Sequence, residues 1–255
     1  MLRSFFSFLI MSLALAPATF AGDRGTPTRH WNGCYLGGFA GGALGTDVRA
    51  TEPVSQGGTF PVGDPYGDFA NPFGYHMQFG AIGGAALGCN YQASGSPLVV
   101  GVEGEVGAIR MKGSTLDPNG PPDTLTSTKI GDWYGVIAGR LGVASGNALL
   151  YGKAGIAFLD TESSVLDTCT ALPCGPATLN ASGSARSASL ALGGGLEYAL
   201  SNSWSVKGEY LFIDRDGYSV CGPAGGAGAG SSYCADHDVD GIHTFKLGLN
   251  YKFGQ

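Results

Sequence analysis

Apolar side chains recur at every second position over most of the chain. In HTFKLGLNYKFGQ (243–255), Phe245, Leu247, Leu249, Tyr251 and Phe253 alternate with Lys246, Gly248, Asn250 and Lys252. In VVGVEGEVG, Val100, Val102 and Val106 alternate with Glu103 and Glu105. Trp133, Ile137, Leu141 and Val143 share one parity and Arg140 takes the other; Leu150, Ile156 and Phe158 oppose Lys153. Leu190, Leu192, Leu196 and Tyr198 oppose Glu197, and Trp204, Val206, Tyr210 and Phe212 oppose Lys207 and Glu209. Period two marks a strand with two different faces. It predicts eight strands, over 33–46, 75–92, 97–111, 129–145, 148–161, 185–200, 203–216 and 242–254.

The connections sort into two kinds. Ala93–Ser96, Gly146–Asn147 and Ser201–Asn202 are tight, whereas 47–74, 112–128, 162–184 and 217–241 are long, and the two kinds alternate. An even number of up-and-down strands with all short turns at one end is the layout of a bacterial transmembrane barrel. A tilted spanning strand needs about 9–11 residues, and each segment is long enough. In hydrocarbon every backbone N–H and C=O must find a partner inside the protein, which a closed ring provides. The fold predicted is all-β: a closed, eight-stranded, antiparallel, up-and-down transmembrane β-barrel. A soluble lipocalin-like barrel would need an apolar lumen, and here the charges share one strand face while the large apolar groups share the other.

Met1–Ala21 reads as a signal peptide, with Arg3, the apolar stretch Phe5–Ala16 and the cleavage site Thr19-Phe20-Ala21. The expected organisation is a signal peptide (1–21), a periplasmic N-terminal segment (22–32) and the barrel (33–255). After the signal peptide there is no run of 18 apolar residues, so no transmembrane helix is expected. The chain has 45 glycines and only 13% charged residues, which fits a β-rich protein with much of its surface out of water. A net charge of −6 with no basic stripe argues against a nucleic-acid partner. In an exported protein the six cysteines read as disulfides before metal ligands. Cys169–Cys174 and Cys221–Cys234 each tie off a loop. Cys34 and Cys89 form a cross-strand disulfide at the periplasmic rim or remain two free thiols. No CxxC is present, and the histidines are not grouped with the cysteines, so no metal site is predicted.

The inward parity collects Glu103, Glu105, Arg140, Lys153, Glu197, Lys207, Glu209, Lys246 and Lys252. An eight-stranded barrel is just wide enough for side chains to fill it, and charges buried there must pair. The expectation is a salt-bridge ladder that plugs the lumen; its rival is a selective ion path. Aromatics gather near strand ends (Trp31, Tyr35, Tyr75, Tyr91, Trp133, Tyr134, Trp204, Tyr210, Phe212, Tyr251 and Phe253) and read as interface girdles. DHDVDG (236–241) has the opening spacing of a calcium loop, but position 12 is Leu247 rather than Glu, so a solvated acidic loop base is expected. His76 and His243 lie near loop-side strand ends without a fixed spacing to a nucleophile, and no catalytic site is predicted. No cofactor is predicted; His76 and His237 are the pair to test for haem.

WNGCYLGGFAGG, VVGVEGEVG, LLYGKAGIAF, LGGGLEYALSNSWSVKGEYLFID and HTFKLGLNYKFG together resemble the porin-family outer-membrane β-barrel proteins of Gram-negative bacteria. These are small immunogenic surface barrels, similar to the barrel domain of outer-membrane protein A. The resemblance covers most of the mature chain and is densest from Gly193 to Asp214 and at the YKFG ending. It implies an outer-membrane location with both termini in the periplasm, and outer-membrane lipid and lipopolysaccharide as surroundings. It also implies delivery by the outer-membrane assembly machinery, with Tyr251 and Phe253 as the signal in the last strand. The family usually has an aromatic at the position of Cys34 and often one near Cys89, and the last loop here is unusually rich in Gly and Ala. Members are variously porins, haem-binding proteins or structural antigens. The resemblance therefore leaves three roles open: a structural, surface-exposed barrel, passive diffusion of small solutes, or binding of haem or a host ligand through the long loops. It leaves the oligomeric state open as well.

Overall fold

The computed structural model describes residues 30–45, 47–51, 73–116, 124–167, 177–215, 217–226 and 232–253. The predicted signal peptide, most of the segment 22–32, and Cys169 and Cys174 lie outside the described residues. The strands are β1 (Gly33–Gly45), β2 (Asp47–Thr51), β3 (Phe73–His76), β4 (Gly80–Gln92), β5 (Leu98–Leu116) and β6 (Thr124–Ser145). They continue as β7 (Ala148–Asp167), β8 (Ala177–Ala199), β9 (Trp204–Ile213), β10 (Tyr218–Gly226), β11 (Ser232–Val239) and β12 (Ile242–Phe253).

Strands β1, β4, β5, β6, β7, β8, β9 and β12 pair antiparallel in that order, and β12 returns to β1. The ring is closed and has eight staves, so its backbone groups pair within it and hydrocarbon meets no open edge. The parity assignment holds around the wall: Val102, Ile137, Leu150, Leu190, Leu247 and Phe253 all point outward and are exposed.

The staves run further than the apolar alternation indicated. β2 continues β1, β3 leads into β4, β10 continues β9 and β11 leads into β12. These four pair as β3–β2–β11–β10 and join the upper part of β8. On the other side the Gln78 N–H donates to the Lys112 carbonyl at 2.8 Å. The connections expected as loops at 47–74, 112–128, 162–184 and 217–241 therefore carry strand. Their alternation is built from small polar groups, which is why an apolar count passes over it. Thr124, Thr126, Thr128, Thr161 and Ser163 face inward and are buried, and β-branched threonine suits a pleated wall. The first four residues of the DHDVDG segment are likewise strand: Asp238 pairs with Arg49 and His237 with Ala50, both within the β11–β2 ladder.

Two local features shape the wall. In β6 the register shifts between Ile130 and Tyr134, with φ 137° at Gly131 and 77° at Asp132. A bulge of this kind re-aims side chains, and here it presents Trp133 to the outside. The second is the pair Gly84 and Gly107, which lie opposite each other on the inner face. A Cβ on Gly107 would stand 2.2 Å from the Gly83 carbonyl oxygen and 2.7 Å from Gly84 Cα. The two backbones approach that closely because neither residue has a side chain.

The glycine pair yields the first expectation. Gly107→Val should destabilise the barrel by about 3 kcal/mol or more through backbone overlap. Gly104→Ala, where the nearest atoms to a Cβ are 3.9 Å away, should be tolerated. Urea unfolding in detergent, read by the fraction that keeps its unboiled gel mobility, separates the two; equal midpoints would refute the packing argument.

Candidate functional site

Eight of the nine charges predicted inside are brought together and buried: Glu103, Glu105, Arg140, Lys153, Glu197, Lys207, Glu209 and Lys246. Four are acidic and four basic, so the cluster is neutral. The even spacing along β5 puts Glu103 and Glu105 on one face, and β6, β7, β8, β9 and β12 supply the rest.

Glu103 is the hub. Its Oε1 accepts from Lys153 Nζ at 2.6 Å, and its Oε2 accepts from Lys207 Nζ at 2.8 Å, Arg140 Nη1 at 3.3 Å and the Tyr35 hydroxyl at 2.5 Å. Lys153 also donates to Glu105 and to Glu209, the latter at 3.1 Å. Lys246 bridges Glu105 at 2.6 Å and Glu209 at 2.7 Å. Glu197 takes Arg140 Nη2 at 2.8 Å, Asn250 Nδ2 at 2.9 Å and the Ser205 hydroxyl at 2.5 Å. Carboxylate oxygens of Glu103, Glu105 and Glu209 lie within 4.8 Å of one another. Three carboxylates that close would repel, and the Lys153 ammonium, which donates to all three, takes the place a cation would take.

Lys252 does not join this cluster. It is half-buried at the turn-side mouth, and its Nζ donates to the His30 carbonyl at 2.9 Å. The reason is height along β12: Asn250 holds the inward position next to it and already reaches Glu197. Trp31 is buried beside Val99, Leu149 and Tyr151 at this mouth, and its backbone N–H donates to Gln92 Oε1 at 2.8 Å.

Three tyrosines complete the network, and charge-seeking alone passed over them. The Tyr134 hydroxyl donates to Glu105 at 2.6 Å and the Tyr151 hydroxyl to Glu209 at 2.8 Å, while Tyr35 serves Glu103. The Arg140 guanidinium lies 3.9 Å from the Tyr151 ring centroid. The signal was present, since Tyr134 shares parity with Arg140 and Tyr151 with Lys153. Girdle membership is corrected accordingly: Trp31, Tyr35, Tyr75 and Tyr134 are buried inside, whereas Tyr91, Trp133, Trp204, Tyr210, Tyr251 and Phe253 face outward. Tyr251 and Phe253, expected as the assembly signal, stand on the outer face of β12, with the Trp204 and Tyr251 rings 5.1 Å apart.

Above the charges the lumen becomes mainly apolar, filled by Ile109, Met111, Ile130, Leu159, Leu211, Ile213 and Ile242, and beside them the buried Arg215 donates to Ser187 and Thr161. Higher still, a hydroxyl chain crosses it: Tyr75 to Thr128 at 2.6 Å, Thr128 to Ser163 at 2.7 Å, and Ser163 to Tyr218. His237 is fully buried there, its ring stacked on Tyr218 with centroids 5.9 Å apart. Burial lowers its pKa below the ordinary 6.5, against a smaller opposing pull from the Ala235 backbone, Asp236 and Asp238. His76 instead points outward and pairs with Asp47. The two histidines face opposite sides of the wall and cannot clasp one ligand between them.

Cys34 and Cys89 are paired residues of β1 and β4 and form a disulfide, with Cα atoms 3.9 Å apart. Cys221 and Cys234 form a second one across β10 and β11, with Cα atoms 4.1 Å apart.

A closed eight-stave wall, apolar outside and charged inside, is the setting in which the comparisons with known proteins fall. The family model for the outer membrane protein beta-barrel domain matches residues 6–253. The chain belongs to this family. It is 27% identical over 243 residues to the 31 kDa outer-membrane immunogenic protein of Brucella melitensis biotype 1, covering 89% of this chain and 85% of that one. The protein of the same name from Brucella suis biovar 1 matches with the same identity and coverage. Among solved structures, the outer membrane protein OprG of Pseudomonas aeruginosa superposes with a TM-score of 0.54 at 14% identity, over 90% of this chain and 100% of that one. The outer membrane protease OmpT of Escherichia coli gives 0.50 at 9% identity, over 89% and 99%. At such identities the two structures speak for the fold alone. The family and the Brucella relatives place this barrel in the outer membrane.

Two expectations follow from the interior. Glu103→Gln keeps the shape but leaves Lys153, Lys207 and Arg140 short of one negative charge. It should cost on the order of 3–5 kcal/mol in unfolding free energy, and an unchanged urea midpoint would show that the cluster is not held by charge pairing. The second concerns pH. Folded His237 prefers the neutral form, so the unfolded chain binds more protons, and its contribution is full above the ordinary pKa and declines as pH falls below it. The protection factors of amides in β10 and β11, corrected for the intrinsic pH dependence of exchange, should therefore fall between about pH 7 and pH 5, and His237→Phe should abolish the fall. The same pH slope in that variant would refute the assignment.

Proposed function

We propose that this protein is a structural, surface-exposed outer-membrane barrel whose lumen is closed to solutes. The observation that carries the reading is the neutral, hydrogen-bonded charge cluster across the barrel's cross-section, with an apolar layer stacked on it. An ion entering from either side must displace a paired charge or cross a layer of mostly apolar side chains, and both cost several kcal/mol. Passive diffusion of small solutes would need a continuous polar path. The mainly apolar layer speaks against one.

No catalytic role is part of this reading. The name of one structural neighbour says protease, but the Asp47–His76 pair here is exposed on the outer wall, with no organised nucleophile beside it among the described residues. The partners proposed are the surrounding lipid, including lipopolysaccharide, and the outer-membrane assembly machinery, which would read the outward Tyr251 and Phe253.

Planar bilayer recording on the refolded protein tests the closed lumen. The expected trace has no steady unitary current at neutral pH in molar salt. Sustained openings in most insertions would overturn the proposal and favour the porin reading.

A further inference from the structure

The two disulfides stand in different surroundings. Cys34 and Cys89 point outward from β1 and β4 near the short-turn end. Their row on the wall continues with Phe253 on one side and Val102 on the other. Leu36 and Leu87 stand opposite each other in the next outward row. All four of these neighbours are exposed apolar groups. Tyr91, an outward aromatic of the girdle, lies two residues beyond Cys89 toward the turn. On a strand rising about 3.3 Å per residue and tilted by about 40°, the sulfur pair therefore lies about 5 Å on the hydrocarbon side of that level. Cys221 and Cys234 stand instead on the extension built from β2, β3, β10 and β11. Ser219 and Asp236 hold the next outward row there, and Asp238 and Arg49 the one after it. Polar and charged groups surround this second bond, at a level that water reaches.

The ladder that the first bond ties is short of side chains. Nine of the eleven register pairs between β1 and β4 include a glycine. The other two are Leu36 with Leu87 and Cys34 with Cys89. Register is weakly specified in strands so rich in glycine. A slip of one residue would turn Tyr35 away from Glu103, to which its hydroxyl donates at 2.5 Å. The bond at Cys34 fixes the register beside the residue that needs it.

Disulfide exchange needs a thiolate at the attacking sulfur. An anion is costly in hydrocarbon, and a water-soluble reagent does not reach a sulfur there. We propose that Cys34 and Cys89 are joined in the periplasm, before the barrel enters the membrane, by exchange with a water-soluble disulfide oxidant. The thiolate of one cysteine attacks the oxidant's disulfide and expels one of its sulfurs as a thiolate. The thiolate of the second cysteine attacks the mixed disulfide, which forms the Cys34–Cys89 bond and expels the oxidant's other sulfur. Two electrons pass to the oxidant, which leaves as two thiols carrying the two protons that the cysteines gave up. Insertion then covers the bond with lipid and seals it. Cys221–Cys234 stays open to exchange after insertion.

The test follows the full-length protein as cells export it. Pulse-labelled chains are sampled over time, and free thiols are trapped with an alkylating reagent. Unboiled gel mobility separates folded from unfolded chains, and peptide mapping reports the state of each cysteine. Unfolded chains should already carry the Cys34–Cys89 bond. Unfolded chains that never carry it, or folded chains that gain it during the chase, would overturn the proposal. A second measurement needs no folding step. The oxidised barrel in lipid nanodiscs, where both faces meet the buffer, is treated with reduced glutathione. Cys221–Cys234 should open at least about tenfold faster than Cys34–Cys89, because only the first meets a dissolved thiolate. In urea, without lipid, most of that difference should vanish. Equal rates in the nanodisc would overturn the proposal. A difference of the same size in urea would overturn it too, since the protection would then lie in the bonds themselves.

Discussion

Hydrocarbon supplies no hydrogen-bond partner, so the closure of the sheet is the constraint on which the rest of this molecule depends. The pairing of β12 with β1 and of β9 with β8 removes the last open edges of the ring. Once the ring closes, every stave has one face in lipid and one in a narrow lumen. Large apolar groups go to the first face, and whatever occupies the second must be satisfied by side chains from other staves. Closure with eight strands also sets the bore, which is just wide enough for side chains to fill.

That confinement explains why charges are tolerated inside. A lone buried carboxylate or ammonium is costly, but each glutamate here meets at least one cation and further hydrogen-bond donors. The tyrosine hydroxyls matter for the same reason, since they supply donors to carboxylate oxygens without adding charge. Replacing such a cluster by well-packed apolar groups can be neutral for stability in other proteins. Its presence here therefore points to specificity of register rather than to stability alone, since a slip of one residue on any stave would turn its charges into lipid.

Outside the bilayer the constraint relaxes, and the wall is held by other means. The upper staves keep their ladders with threonine and serine inside, cross-braced by the hydroxyl chain from Tyr75 to Tyr218. A disulfide sits at each end: Cys34–Cys89 closes a separation of 55 residues, and Cys221–Cys234 one of 13. In the chain-entropy picture the longer closure restricts the unfolded state more. Both span paired strands, so they lock register where the apolar alternation no longer does.

The sequence by itself determined the number of staves, the up-and-down order and the face taken by the charged and large aliphatic residues, because side-chain parity along a strand is a local property that survives in one dimension. It placed Glu103, Lys153, Lys207 and Lys246 inside, and Leu247 and Phe253 outside. Its reach failed where parity had no apolar marker, as in TLTSTK and the DHDVDG segment, and where a residue's type suggested the wrong face, as for Tyr35, Tyr134 and Trp31. Only the tertiary structure decided which charges meet. Glu105 and Lys246 are 141 positions apart, and Glu103 and Lys207 are 104 apart. Such contacts depend on the stagger and closure of the whole ring, which no local pattern encodes. The same holds for the height of Lys252 at the mouth and for the juxtaposition of Lys112 with Lys129 on the outer wall. Both are set by register between staves rather than by the order of residues along one.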